Sequence, residues 1–512
     1  MEWKSIGLSG LLVFGMLTAR AQEPADALRY SWLTQNGTAR NQAIGGAGVS
    51  LGGEFSSLFL NPAGLGFYQT GEFVLTPGIA LKNMSTDYLA TPSSAKSNNF
   101  KLGSSGFVFS SPAAGRRIRN FAFAFGASRI ADFGQHLFYT GTNHQSSYSE
   151  QYLETLVNNN VTDPNQAATN FPFGASEAFN TYLIDTLQGS NGSLAGYKTL
   201  ANPSYGLIQR NNINTSGGIT DISLGGGFNL KGKLYFGASV SFPFLKYNRD
   251  GQYMESDASG NPNNNFNYFT VNETLNTKGI GIASKLGAIY KPVHNLQLGL
   301  VFQTPTIYEL TDQYSVQIST DMEGYGGAGV KQQSSLDLNN NQLLESKYNL
   351  TTPFKVSLGG SWVVNEVENV QNQHGFVTAD IEYVNYKGMS FSAYDVNDTA
   401  AVHYYSALTR VTRNLYRNNI NVRLGGELKF NTYMFRIGGA FYGNPYQNQQ
   451  ANIFKLSGGL GYRNRGIFLD LTYVYTLKKD INYPYLLQDK PNTPAYLKSR
   501  NGNIIATMGF KF

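Results

Sequence analysis

The sequence of 512 residues contains no cysteine. This absence excludes a disulfide framework, a thiolate metal site and an amino-terminal lipid anchor. Beyond residue 21 the sequence also lacks a run of about 18 apolar residues, the length that a transmembrane helix requires. Only 14% of the residues are charged. The basic residues, which give a net charge of +6, are scattered, so no patch for a nucleic acid partner is present.

The start of the chain has the pattern of an export signal. A weakly basic start, Met1–Lys4, precedes an apolar run from Ile6 to Leu17, and Thr18-Ala19-Arg20-Ala21 offers a small-residue cleavage site. The apolar run is short for a bilayer span, which favours cleavage over the alternative of an uncleaved anchor. We predict a signal peptide over residues 1–21 and a mature chain that begins at Gln22.

From Glu72 onward, apolar and polar residues alternate with a period of two, in segments of about ten residues. In the segment 419–429, Ile420, Val422 and Leu424 share one face, and their polar neighbours share the other. This period is that of a β-strand. The 56 glycines, 33 tyrosines and 33 phenylalanines also suit twisted, aromatic-rich strands better than helical cores.

Charged residues recur on the polar face of these segments. A lysine or arginine that faces lipid near the bilayer midplane costs about 2–4 kcal/mol, so the charged face must point into a lumen. The predicted lumen charges are Asp380, Glu382, Arg423, Glu427, Arg436, Lys455, Arg463 and Asp470. For any single one of them we favour a passive role, in which it pairs with its neighbours and keeps the interior hydrated.

Counting the alternating segments predicts an all-β fold: a transmembrane antiparallel β-barrel of about 14 strands over residues 72–512. Long polar segments, among them 132–217 and 388–416, are predicted to be extracellular loops. Within the first of these, the pattern favours helices over Tyr148–Val157 and Ala175–Leu187.

The carboxyl end of the chain indicates where the barrel is inserted. The last strand alternates and ends in Phe512, which resembles the signal read by the barrel-insertion machinery of the outer membrane. We therefore predict a Gram-negative outer-membrane protein in contact with membrane lipid and lipopolysaccharide.

Residues 22–71 precede the first strand and do not alternate. They are rich in small residues, which favours a plug folded inside the lumen over the alternative of a periplasmic tail. Within the plug we expect Gly45, Gly46 and Gly48 to allow close backbone packing. We expect Asn61-Pro62-Ala63 to form a tight turn against the wall, with a structural gating role.

Several motifs resemble the FadL/TodX-type family of outer-membrane transporters of hydrophobic compounds. They are Thr38-Ala39-Arg40 with Gly45–Ser50, the Asn61-Pro62-Ala63 triplet, Gly287–Pro292 and Leu456–Arg463. The resemblance covers nearly the whole mature chain, is strongest before the first strand and is weak in the long loops. It implies a barrel of fourteen strands closed by an amino-terminal hatch, whose rearrangement releases a ligand sideways through a gap in the wall.

A sideways route requires a broken strand ladder, and one candidate stands out in the sequence. Pro77-Gly78 lies inside the first predicted strand, and proline cannot donate a hydrogen bond to a neighbouring strand. We predict a kink in the wall there, beside the hatch. The alternative is a simple bulge near the rim.

Catalysis has no support in the sequence. The five histidines lie in predicted loops or turns and never accompany a positioned serine and acid, and no nucleotide, phosphate-binding or metalloprotease motif occurs. We predict no enzymatic activity, no metal and no cofactor. The expected function is passive uptake of long-chain fatty acids, aromatic compounds or other lipophilic molecules. The alternative is a surface shuttle of a secretion system, an activity known among relatives of the family.

Overall fold

The computed structural model describes residues 24–112, 117–327, 329–365, 374–449 and 451–512. The predicted signal peptide, residues 1–21, lies outside the described residues. None of the helices in the described ranges is both long and apolar enough to cross a membrane.

Fourteen antiparallel strands close into a single barrel, which confirms the predicted fold class and strand number. Each strand pairs with the next along the chain, and the last strand pairs with the first. The strands are β1 (Glu72–Leu75 and Pro77–Tyr88), β2 (Thr91–Leu102 and Ser105–Pro112), β3 (Ile118–Asp132 and Gln135–Asn143), β4 (Leu207–Leu230), β5 (Leu234–Asp257), β6 (Tyr268–Val293), β7 (Leu296–Gln303 and Ile307–Asp321), β8 (Leu344–Thr351 and Lys355–Val364), β9 (Gly375–Val384 and Ser390–Ala393), β10 (Asn419–Phe430), β11 (Tyr433–Tyr442), β12 (Asn452–Asn464), β13 (Ile467–Asn482) and β14 (Ala495–Lys511).

The outer face of the barrel is apolar and its inner face is polar. On β9, Val377 and Ile381 are 63% and 54% exposed, whereas Asp380 is 1% exposed. The same alternation on the next four strands exposes Leu424, Ile437, Leu456 and Leu471. A continuous apolar outer belt around a polar interior is the surface of an outer-membrane barrel.

Residues 24–71, called here the inner segment, lie inside the barrel. The segment contains α1 (Pro24–Arg29), α2 (Ala39–Ala43) and two 3-10 helices, Phe55–Leu58 and Pro62–Phe67. Helix α1 packs in the half of the lumen that faces the long loops, whereas Pro62–Phe67 contacts β4 and β5 near the short turns. The segment therefore runs down the length of the lumen.

The long loops fold into a cap that the sequence predicted only in part. The first loop contains α3 (Glu150–Asn158), α4 (Pro164–Thr169), α5 (Ala175–Asn180) and a hairpin of Ile184–Gln188 with Leu194–Thr199. The helix predicted over Ala175–Leu187 was thus wrong at its end. A short helix, α6 (Ser335–Leu338), follows β7.

Two expectations about the loops were wrong. Strands β3 to β6 continue well past the predicted boundaries, because a strand that stands in water above the bilayer no longer needs an apolar outer face. The segment 388–416 contains a long helix, α7 (Thr399–Leu415), whose buried residues follow a helical spacing and pack against α1. His136 and His403 accordingly lie in β3 and α7 rather than in loops.

Glycines in the wall allow the backbone of the inner segment to touch the strands. Gly45 has a φ of +70°, and a Cβ placed on it would lie 2.6 Å from the carbonyl oxygen of Gly439. A Cβ on Gly438 would overlap the backbone of Ile44 and Gly45. The abundance of glycine in the sequence is therefore explained in part by this fit between plug and wall.

We expect Gly438→Val to unseat the inner segment without opening the barrel. The added side chain meets backbone atoms that cannot rotate away, and overpacking of this kind costs about 1–3 kcal/mol. Limited proteolysis of the heat-resistant folded barrel should then cut within residues 24–71. Gly458→Val is the matched control, because a Cβ there lies 3.7 Å from its nearest neighbour. Equal protection in both variants would contradict the fit.

Candidate functional site in the lumen and the wall

The Asn61-Pro62-Ala63 triplet is wedged against the wall near the short turns. The Asn61 side chain donates to the Val49 carbonyl at 2.6 Å and accepts from the Ala63 amide at 3.1 Å. Pro62 starts the second 3-10 helix and fills the space over Gly237. Asn61 and Ala63 are completely buried. The triplet thus fixes the turn of the inner segment and seats it on the barrel.

A carboxylate of the wall holds the glycine-rich part of the inner segment. One Asp380 oxygen accepts the backbone amides of Gly48 and Val49 at 2.8 and 3.0 Å. Gly48 is also packed from the other side, since a Cβ there would lie 2.9 Å from Leu60. Gly46, with a φ of +78°, provides the left-handed backbone that precedes this contact. Hydrogen bonds to an ionised carboxylate are stronger than those between neutral groups.

A second contact joins α2 to a chain of charges on the wall. Arg40 pairs with Glu427 at 3.1 Å, Glu427 pairs with Arg436 at 2.5 Å, and Arg436 reaches Asp470 at 2.5 Å. Arg463 stands at the end of the chain, 4.0 Å from Asp470. Because these groups are removed from bulk water, loss of one partner leaves a buried charge uncompensated.

Arg40 was not among the site residues inferred from the sequence. It lies 387 positions from Glu427, and no local spacing connects them. Near it, burial raises the pKa of the Glu54 carboxyl, whereas hydrogen bonds from Thr38 and Ser56 oppose the shift. The only signal in the sequence was the position of Arg40 within Thr38-Ala39-Arg40, one of the motifs of the family resemblance.

The three remaining lumen charges, Glu382, Arg423 and Lys455, differ in their partners. Arg423 pairs with Glu382 at 2.8 Å, on the adjacent strand. Lys455 donates instead to the hydroxyl of Thr34, in the inner segment, at 2.8 Å. The structure thus places all eight charges named from the sequence on the inner face, and it links three of them, Asp380, Glu427 and Lys455, directly to the inner segment.

The wall is irregular at Pro77-Gly78, but its ladder is not open there. Strand β1 is interrupted at Thr76. Val74 and Pro77 are three residues apart on β1, whereas their partners on β2 are four residues apart, so β2 has a bulge of one residue. Gly78 still pairs with Lys101 of β2 and with Ile505 of β14. The irregularity lies beside the inner segment, because the Thr507 hydroxyl accepts from the Ala39 amide and also shares a hydrogen bond with the Thr76 hydroxyl.

A gap in the ladder lies instead between β2 and β3. These strands pair from Ser105 with Ala127 to Pro112 with Asn120. Among the described residues, no backbone ladder joins the other half of β2, Thr91–Leu102, to β3. Past an interruption at residues 133–134, Gln135–Asn143 pairs with β4 and turns inward, where the Tyr139 ring lies 5.0 Å from the Tyr88 ring of β1.

Polar side chains bridge this gap. Lys82 pairs with Asp132 at 2.9 Å and donates to the Gly134 carbonyl at 2.5 Å. Asn99 donates to the same carbonyl at 2.9 Å. Backbone groups that lack a hydrogen-bond partner on the neighbouring strand are costly in contact with hydrocarbon. These side chains provide hydrogen bonds to some of the backbone groups that the gap leaves unpaired. No local pattern in the sequence indicates the gap, since residue 134 lies in a predicted loop.

The inner segment covers the gap from the lumen side. The Tyr30 ring lies 5.8 Å from the Phe133 ring, at the interruption of β3. The Asn36 side chain donates to the carbonyl of Arg129, on the same strand. Outside, Phe100 and Leu102 of β2 are exposed beside the gap. The arrangement is a gap in the backbone ladder of the wall, covered on its inner side by Tyr30 and Asn36.

Within the described ranges, no group of three or more histidine, aspartate or glutamate residues is placed to hold a metal ion.

The chain is similar in structure to outer-membrane channels. It matches a Pseudomonas aeruginosa FadL homologue with a TM-score of 0.55 at 13% identity, over 94% of this chain and 100% of that one. The toluene transporter TodX of P. putida matches with a TM-score of 0.51 at 14% identity, over 94% and 99%. The Ralstonia pickettii toluene transporter TbuX matches with a TM-score of 0.50 at 16% identity, over 94% and 99%. No family model matches the sequence, and no curated protein does.

We expect Glu427→Gln to loosen α2. The variant leaves Arg40 and Arg436 without their shared counter-ion, and breaking a buried ion pair costs about 3–5 kcal/mol. Hydrogen–deuterium exchange at residues 39–49 should speed up at least about tenfold. Glu345→Gln is the control, because its pair with Lys347 at 3.6 Å is half exposed and contributes little. Unchanged exchange in Glu427→Gln would show that the contact does not hold the segment.

Proposed function

This chain has the fold of the FadL/TodX-type outer-membrane channels, and from that premise we propose that it is a passive channel for hydrophobic small molecules. The ligands we expect are long-chain fatty acids, aromatic compounds and other lipophilic molecules. The observation that carries the proposal is the opening between β2 and β3, bordered by apolar side chains outside and covered by the inner segment inside.

The proposed route of the ligand follows from the closed lower lumen and from the gap between β2 and β3. The lower lumen is closed, because the inner segment is seated on wall glycines and held by Asp380 and Glu427. A ligand that enters from the long loops therefore reaches a dead end below α2. The lateral opening leads it into the outer leaflet or core of the membrane instead. Transfer of apolar surface from water to hydrocarbon is favourable by about 25 cal/mol per Å², so no energy input is required.

The inner segment has two parts in this proposal. Residues from α2 to the Asn61-Pro62-Ala63 triplet are anchored and keep water and solutes from leaking through. Residues 30–37 cover the opening and are held mainly by side-chain contacts, among them those of Tyr30 and Asn36. We infer that this stretch moves when a ligand arrives, while the anchored part stays in place.

A disulfide across the opening should block uptake reversibly. A Cβ on Gly134 would lie 2.8 Å from Cγ of Asn99, so the Asn99→Cys, Gly134→Cys variant places two thiols in reach of each other. The background is free of cysteine. Oxidised protein should lose most transfer of a labelled fatty acid into membranes, and reduction should restore it.

The matched control joins the same two strands where they are already paired. Ser105→Cys, Ala127→Cys links opposite residues of the intact ladder. Its oxidation should leave transfer unchanged. Equal transfer in the oxidised and reduced forms of the Asn99, Gly134 variant would contradict the lateral route.

Replacement of Pro77-Gly78 by Val-Thr tests the irregularity of β1. We propose that the bend beside Thr76 keeps room for the inner segment and for the inward path of β3. A regular strand should reduce uptake severalfold while the barrel keeps its heat-resistant electrophoretic mobility. Full uptake in this variant would mean that the bend is only a bulge.

A further inference from the structure

On the outside of the barrel, the apolar belt ends at two lysines that lie directly opposite each other. On β5, Phe244 faces outward, and Lys246, the next residue on that face, is exposed. On β6, Ile280 faces outward, and Lys278 stands directly above it and is exposed as well. Lys246 and Lys278 are cross-strand partners. The pair therefore marks the level at which the wall leaves the hydrocarbon on the side of the long loops.

A third cation extends this pair over the neighbouring strands. Lys246 is also the cross-strand partner of Gly218 on β4. Gly218 has no side chain, and the guanidinium of Arg129, on β3, lies over it, since a Cβ on Gly218 would be 2.6 Å from a terminal nitrogen of Arg129. Arg129 is held there by the hydrogen bond of 3.0 Å that it donates to the Thr220 hydroxyl. Arg129, Lys246 and Lys278, called here the basic row, therefore follow one line across four strands.

The protein does not neutralise the basic row. Within the part of the chain that the structure describes, neither Lys246 nor Lys278 forms an ion pair, although Glu309 stands one strand away from Lys278. The carboxylate that acts on Arg129 is Asp132, which is already engaged in the ion pair that bridges the gap. Like charges directly opposite each other on one face of a sheet destabilise it. The basic row therefore favours an anion that comes from outside the protein.

The position of the basic row decides which anion fits it. The row borders the outer leaflet of the outer membrane, because it lies above the apolar belt on the side of the long loops. That leaflet is rich in lipopolysaccharide, whose lipid A phosphates lie between its sugars and its acyl chains. Guanidinium and ammonium groups donate strong hydrogen bonds to phosphate. A soluble anion would contact the row alone, whereas this lipid contacts the row with its phosphate and the belt with its chains.

We propose that the basic row binds a phosphate of lipopolysaccharide, with the acyl chains of the same molecule lying along the belt below. Arg129 is the positioned donor, and Lys246 and Lys278 supply the charge beside it. Because Arg129 belongs to β3, a bound lipid stands next to the strand that borders the gap. The inference rests on the fold and on the membrane in which the protein lies, and it does not depend on the proposed function.

The test measures the binding of purified lipid A to the full folded chain in a non-ionic detergent, by native mass spectrometry over a series of lipid concentrations. The double variant Lys246→Gln, Lys278→Gln should bind lipid A about twentyfold more weakly than wild-type protein, because one basic residue beside an anionic membrane surface contributes about fivefold to affinity. Lipid A from which both phosphates have been removed should bind wild-type protein and this variant alike.

Control variants separate a phosphate site from a general effect of charge or of folding. Lys231→Gln, Lys233→Gln removes the same charge at the short turn between β4 and β5, at the other face of the membrane, and should leave binding within about twofold. Lys246→Arg, Lys278→Arg keeps both charges and should keep the affinity. Without lipid, the variant Lys246→Gln, Lys278→Gln should unfold at the same temperature as wild-type protein or at a higher one, because the repulsion between the opposed lysines is removed.

Three results would overturn the inference. If the variant Lys246→Gln, Lys278→Gln binds lipid A as tightly as the control at the short turn does, the basic row is not the site. If lipid A without phosphates binds wild-type protein as tightly as intact lipid A, the acyl chains alone make the contact. If inorganic phosphate in excess displaces lipid A, the row takes a free anion and the lipid is wrongly assigned. None of these results bears on the lateral route, which the disulfide across the gap tests separately.

Discussion

A strand inside a bilayer must have its backbone groups paired, because hydrocarbon offers no hydrogen-bond partner. This constraint closes fourteen strands into a ring and turns the charges of β9 to β13 inward. It also bears on the break in pairing between β2 and β3. Where β2 and β3 separate, the unpaired edge is permitted only because Gly134 is bridged by Lys82 and Asn99 and because β3 turns away from the lipid. The gap is therefore a stable feature of the wall and not a fault in it.

A barrel of fourteen strands with an empty lumen would let water and solutes pass. The inner segment fills it by direct backbone contact with wall glycines and by two polar contacts, Asp380 with the amides of Gly48 and Val49 and Glu427 with Arg40. These contacts hold the lower and middle parts of the segment. The part that covers the gap lies above them. In the proposed function, this one segment both seals the lower lumen and covers the gap.

The barrel was readable from the sequence because its period of two persists wherever a strand faces lipid. Asp380 and Ile381 are adjacent in the chain and point to opposite faces, so the alternation alone predicts which of them is buried. The long helix α7 was missed because its helical spacing is carried by tyrosines and threonines, which the composition of a polar loop also contains. The contact of Arg40 with Glu427 and the gap beside Gly134 were missed for another reason. Both depend on residues brought together by closure of the ring, and no local pattern records that closure.

The central claim is that a ligand leaves sideways between β2 and β3 and does not pass the floor of the lumen. A fatty acid that carries a photoreactive diazirine at its tail tests this directly, when it is cross-linked during transfer and its attachment sites are mapped by mass spectrometry. The account predicts labels on β2 between residues 99 and 102 and on β3 between residues 132 and 137. Labels on the 3-10 helix Pro62–Phe67, with none at the gap, would contradict it.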